Sequence, residues 1–205
     1  MRLINTIWIF IILFLIPGFK STAQIGEKDF LYLNFEIQLG NYLGLTGGLN
    51  YILREKYSFH IGMMGGIRGA RNKPEDYSGG LGSAFVLGLD SPKDVMEDYH
   101  IMFGRMIKLN STERVRFNIM GGLCYTRYYE PHNYEKLNSN WMTANYSYEY
   151  TEFRRMSFIF NPVVEFPFSF WRGFNISPIL HVNEDRITFL IGIGGIIGSL
   201  KKKDL

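Results

Sequence analysis

FLYLNFEIQLG, residues 30–40, alternates without a break: Leu31, Leu33, Phe35, Ile37 and Leu39 are apolar, and Tyr32, Asn34, Glu36, Gln38 and Gly40 fall between them. A period of two gives one apolar and one polar face, which is the signature of a strand. Eleven residues also match the ~9–11 that a tilted strand needs to cross a bilayer. The same pattern recurs along the chain, and the breaks between runs are of two alternating kinds. Tight polar turns fall at Arg54-Glu55-Lys56, at Asn110 to Arg114 and at Trp171-Arg172-Gly173. Between them lie connections near Asn41, from about Asn72 to Asp98, from Glu130 to Tyr148, and at Glu184-Asp185.

This spacing predicts eight strands, at roughly 30–40, 43–53, 57–70, 100–109, 115–129, 151–169, 174–183 and 186–198. The segment GGLGSAFVLGLD, residues 79–90, reads either as an additional strand or as a hairpin arm inside the long second connection; a ninth spanning strand would break the turn asymmetry, so eight are counted. Ser91-Pro92 ahead of Lys93 to Tyr99 predicts a short surface helix, with proline at its first position. Short turns on one rim and longer connections on the other describe a closed, antiparallel, up-and-down transmembrane β-barrel, an all-β fold.

The N-terminus points to export. Arg2 precedes the apolar run Ile7 to Ile16, then Pro17-Gly18, then Ser21-Thr22-Ala23 ahead of Gln24. A charged start, a short apolar stretch and a small-residue cut read as a signal peptide over 1–23 and one domain over 24–205. Cleavage would remove Arg2 and Lys20 and lower the formal net charge from +3 to +1, which offers nothing to nucleic acid. The near-terminal Lys201-Lys202-Lys203 reads as a solvated end. Cys124 is the single cysteine, so there is no internal disulfide, no cysteine cluster for a metal and no lipidated cysteine near the cut.

Mean hydropathy is −0.04 with 16% aromatic residues. After residue 23 no long apolar run remains for a spanning helix, yet a barrel tolerates such a mean because only alternate residues meet lipid. Glycine pairs at Gly47-Gly48, Gly65-Gly66, Gly121-Gly122 and Gly194-Gly195 fall inside the runs, where they permit the curvature of a small barrel. Phe166, Phe168, Phe170, Trp171 and Phe174 crowd one tight turn, and Tyr125, Tyr128, Tyr129, Tyr146, Tyr148 and Tyr150 the opposite rim. Two aromatic levels a bilayer apart are what interfacial girdles look like.

On FLYLNFEIQLG, GGLNY (47–51), GGLCY (121–125) and ITFLIGIGGIIGSLKKKDL (187–205), the chain resembles the small eight-stranded outer-membrane barrels, especially those abundant in Bacteroidetes. The resemblance implies a Gram-negative outer membrane, contact with its lipid, and insertion by the barrel assembly machinery. Proteobacterial members usually end in an aromatic residue read by that machinery, whereas this chain closes on Leu205.

With the apolar face outward, the inward set includes Glu36, His60, Arg68, Arg116, Asn118, Arg155, Asn161, Glu165, Asn175, His181 and Arg186. An eight-stranded interior is just filled by side chains, so these predict a structural polar network in which Glu36, Arg68, Arg116, Arg155, Glu165 and Arg186 balance one another. No cofactor is expected, and the four histidines, at 60, 100, 132 and 181, show no paired ligand spacing for a metal. The Tyr-, Asn- and Ser-rich stretch RYYEPHNYEKLNSNWMTANYSYEYTEF (127–153) offers Tyr134, Trp141, Tyr146 and Tyr148 as a recognition surface for an extracellular ligand.

Two rival readings remain. A lipid-modifying hydrolase or acyltransferase would draw on His100 or His132, on Ser83, Ser91 or Ser147, and on Glu130 or Asp98 at the outer rim. A soluble secreted barrel would need an apolar cavity, against which Asn34, Glu36, Gln38, Arg116 and Asn118 argue. The leading expectation is a non-enzymatic outer-membrane barrel with loops for recognition, adhesion or envelope support. Arg105 alone interrupts the outward series Ile101, Phe103, Ile107 and Leu109, and a bulge would be needed to turn it inward.

Overall fold

A computed structural model describes residues 29–80, 91–109, 115–138 and 143–200. Eight antiparallel strands close into a barrel in sequence order: β1 (Phe30–Gly40), β2 (Leu43–Leu53), β3 (Tyr57–Gly69), β4 (Lys93–Lys108), β5 (Arg116–Lys136), β6 (Tyr146–Pro167), β7 (Arg172–Val182) and β8 (Ile187–Ser199). Closure comes from β1 against β8, from Leu31 opposite Ser199 to Gly40 opposite Leu190, so the first and last strands cover each other's edges.

Alternation decides which face is which. In β1 Phe30, Tyr32, Asn34, Glu36 and Gln38 are buried while Ile37 and Leu39 are exposed. The apolar exposure continues round the barrel through Leu49, Ile61, Ile101, Leu123, Phe158, Ile176 and Ile193. The interior is instead a mixture of methionines, Met64, Met96, Met102, Met106 and Met120, with a large set of buried polar groups.

Three expectations need correction. The predicted helix over 91–99 is strand: β4 starts at Lys93, with Asp94, Met96, Asp98 and His100 inward. Ser91-Pro92 mimics a helix start, but alternation places Asp94 and Asp98 in the interior. The third tight turn sits one step earlier, since Arg172 and Gly173 already belong to β7. β5 and β6 continue to Lys136 and from Tyr146, well past the predicted 129 and 151. The stretch 81–90, Asn110 to Arg114 and Trp141 lie outside the described residues.

Arg105 is exposed and no register shift occurs along β3–β4 or β4–β5. It lies opposite Tyr57, the first residue after the Arg54–Lys56 turn. It is therefore at the rim of the apolar belt, where a long cationic side chain reaches the polar interface at little cost. The β6–β7 ladder has a gap where its flanking register sets Pro162 opposite Pro178, because neither residue has an N–H to donate.

Candidate functional site

Two of the buried carboxylates, Glu165 and Glu36, have different solutions. Glu165 receives Arg116 Nη2 at 2.6 Å and the Tyr32 hydroxyl at 2.5 Å, and Arg116 is fully buried. Arg116 and Glu165 lie directly opposite in the β5–β6 register. Arg116 also donates to the Leu200 carbonyl at 2.8 Å and lies over the rings of Phe30 and Tyr32. Glu36 has no arginine. It accepts from Asn34 at 3.1 Å, Asn175 at 2.5 Å and the Ser177 hydroxyl at 2.5 Å. The carboxylate reaches over Gly192 of β8, which lies opposite Ser177 and where any Cβ would collide with the Glu36 carboxylate and the Ser177 hydroxyl.

From Glu36 a side-chain chain runs outward: Asn34 to Asn50 at 3.0 Å, Asn50 to His60 Nδ1 at 2.9 Å, His60 Nε2 to His100 Nε2 at 3.0 Å, and His100 Nδ1 to Asp98 at 2.6 Å. The two imidazoles stack with centroids 5.1 Å apart. A Cβ on Gly62 would lie 2.6 Å from both Nε2 atoms, so this glycine gives the pair its room. Asp98 continues the chain to the Thr126 hydroxyl at 2.9 Å, and Thr126 meets Ser157 at 3.3 Å. A cavity of about 10 Å³ lined by Tyr32, Glu36, His60 and Asn161 separates the two carboxylate sites, the space of a single water.

The other three arginines of the expected network, Arg68, Arg155 and Arg186, lie toward the opposite end of the barrel from the Arg54–Lys56 turn. Arg68 holds Asp94 through Nε at 2.8 Å and Nη2 at 2.7 Å, above the ring of Tyr42. Arg186 holds Glu130 at 2.7 Å and covers Tyr128. Arg155 is half-exposed and pairs with Asp185 at 2.5 Å in the last connection. The expected Arg–Glu interior thus holds one deep pair, Arg116–Glu165. Glu36 is carried by neutral donors, and Arg155 belongs to the rim.

Beyond the level of Val95 opposite Tyr129, β5 and β6 pair only with each other. At 21 and 22 residues they exceed the ~9–11 needed to span lipid by about ten each, so their ends project from the barrel. Tyr134, Tyr146, Tyr148 and Tyr150 form a run of ring contacts on this hairpin at 5.6–6.4 Å. Residues 70–80 fold against it. Asp76 receives Lys136 Nζ and the Tyr146 hydroxyl, each at 2.7 Å, and its carbonyl accepts from Asn145 at 2.7 Å. The hydrogen bond from Lys136, then that from Tyr146, holds the Asp76 carboxyl below its ordinary range.

The residues considered for acyl chemistry are dispersed. Asp98 and His100 do form an acid–imidazole pair, but inside the barrel, with the second ring nitrogen facing His60. His132 meets the Thr151 hydroxyl at 2.8 Å, and Glu130 is held by Arg186. Ser83 lies outside the described residues. The sequence reading missed a different grouping: Asp98, Cys124 and His181, from β4, β5 and β7, bring three metal-ligating atoms within 4.8 Å of one another.

No family model matches the chain, and no curated protein matches it in sequence. Among solved structures, the N-terminal β-barrel domain of Pseudomonas aeruginosa OprF superposes with a TM-score of 0.50 at 8% identity, over 85% of this chain and 99% of that one. The two share a fold. The attachment invasion locus protein Ail of Yersinia pestis, in complex with the heparin analogue sucrose octasulfate, gives 0.48 at 9% identity over 83% and 96%. A de novo designed transmembrane β-barrel gives 0.46 at 9% identity over 85% and 98%.

Proposed function

We propose that this chain is a non-enzymatic outer-membrane barrel of a Gram-negative envelope, delivered after cleavage of residues 1–23 and inserted by the barrel assembly machinery. One observation carries the reading: a belt of large apolar side chains surrounds a polar interior. Ile101 is 67%, Leu123 60%, Ile61 57% and Ile37 56% exposed, on different strands at comparable levels. A soluble protein rarely exposes so wide an apolar surface, and lipid is the solvent that accepts it. The aromatic turn at Phe168, Trp171 and Phe174 is also exposed and sits where a headgroup boundary would fall. The polar interior disfavours a carrier of apolar ligands.

The projecting β5–β6 hairpin is the part fitted to recognition. Its tyrosines offer rigid, amphipathic contact surface at low entropic cost, and the Asp76 clasp fixes the neighbouring loop beside them. Envelope fractionation tests the location: heat-modifiable protein in the outer-membrane fraction is expected, and recovery in the soluble periplasm would end the proposal. In planar bilayers the filled interior should give no large steady conductance.

A further inference from the structure

His181 is the odd one among the three interior histidines, His60, His100 and His181. It is 1% exposed, yet among the described residues neither ring nitrogen has an oxygen or nitrogen partner at hydrogen-bond distance. Nδ1 faces Cys124 Sγ at 3.5 Å and Asp98 Oδ2 at 3.7 Å, and Nε2 has no partner. By contrast, all four ring nitrogens of His60 and His100 are engaged. A buried imidazole aimed at a thiol and a carboxylate, with no strong bond to either, calls for a physical reason.

We propose that Asp98 Oδ2, Cys124 Sγ and His181 Nδ1 form a buried site for one divalent transition-metal ion of the zinc class. Bonds of about 2.0–2.3 Å around a tetrahedral centre set donor–donor edges of roughly 3.3–3.6 Å. The edges at His181, 3.5 and 3.7 Å, already stand close to those values. The third edge, between the Asp98 carboxylate and Cys124 Sγ, lies within 4.8 Å and closes as the ion is seated.

The donor set selects the class. A thiolate, an imidazole and a carboxylate suit borderline-soft Zn²⁺, whereas Mg²⁺ and Ca²⁺ take oxygen donors. The thiol gives up its proton on binding, and thiolate plus carboxylate then neutralise the double charge inside the barrel. The surroundings supply an outer shell of the kind metal carboxylates require. His100 Nδ1 fixes Asp98 Oδ1 at 2.6 Å, and the Thr126 hydroxyl donates to Oδ2 at 2.9 Å beside the same edge. His60, held by Asn50, in turn orients His100. The polar chain from Glu36 to Asp98 therefore ends at the ion. Because packed side chains close the interior, the ion enters as the barrel forms, and its binding contributes to folding.

Co²⁺ is a suitable probe, since a cobalt–thiolate bond adds a charge-transfer absorption that no other donor here can give. Residues 24–205 are refolded into detergent with one equivalent of Co²⁺, desalted, and the folded fraction identified by heat-modifiable mobility. Folded wild-type protein is expected to retain about one cobalt per chain and to show the thiolate band. Cys124→Ser should lose the band, and His181→Gln should retain less than about a tenth of an equivalent. Folded wild-type protein without the band overturns the site even if neither variant folds. Equal retention by wild type and both variants overturns it as well.

Discussion

The deep interior and the projecting hairpin use the same chemistry under opposite conditions. Arg116 and Glu165 meet at 2.6 Å with almost no exposure, whereas Lys136 and Asp76 meet at 2.7 Å with both side chains more than half exposed. The distances are nearly equal, but what differs is what happens when one partner goes. Inside, the survivor is a charge with no water to receive it; outside, it is simply solvated. The interior pair therefore fixes the fold, and the clasp only fixes a loop.

The largest effect should follow Glu165→Gln, which keeps a partner for Tyr32 but leaves the Arg116 guanidinium uncompensated. A loss of ~3–5 kcal/mol is expected in urea unfolding in detergent, with part of it recovered when Arg116 is also replaced by a neutral residue. Purely additive effects of the two changes would show that the pair does not act as a unit. Next in size is Gly62→Ala. Its methyl would enter the space of both Nε2 atoms of His60 and His100, and overpacking of this kind costs ~1–3 kcal/mol. Gly65→Ala is its control, since a Cβ there meets nothing within 4 Å, and should leave the unfolding midpoint in place.

The smallest effect belongs to the clasp. Asp76→Asn should leave global unfolding unchanged while speeding proteolysis within residues 70–80. A pH series on the wild type should give the same result. The Asp76 carboxyl titrates below its ordinary range, so its contribution is complete above about pH 4 and is lost as the pH falls through the lower folded value. Loop cleavage that rises only on acidification below about pH 4 supports this; a transition near neutrality would assign the loop's order to another group.

How much of this could be read from the chain depended on which solvent each strand meets. β1 and β2 have the predicted bounds, 30–40 and 43–53, because an apolar outer face and a polar interior keep the period of two clean. The first half of β4 was hidden because Ser91-Pro92 reads as a helix cap with proline at the first position, whereas Asp94, Met96 and Asp98 alternate inward as a strand. The ends of β5 and β6 were hidden because they project beyond the barrel wall, where Tyr, Glu and Asn on both faces erase alternation. The Asp98, Cys124 and His181 grouping leaves no local signal at all. Its members are on three strands, and only the tilt and stagger of the closed barrel bring them level.

Membrane embedding by strands with a polar inside is the central claim, and a cysteine scan along residues 31–38 with a lipid-soluble thiol probe tests it most directly. Cys124 is 1% exposed and stays in place as the unlabelled background. Labelling is expected at positions 31, 33, 35 and 37, and protection at 32, 34, 36 and 38. Continuous labelling, a period near 3.6, or labels at the even positions would contradict the account.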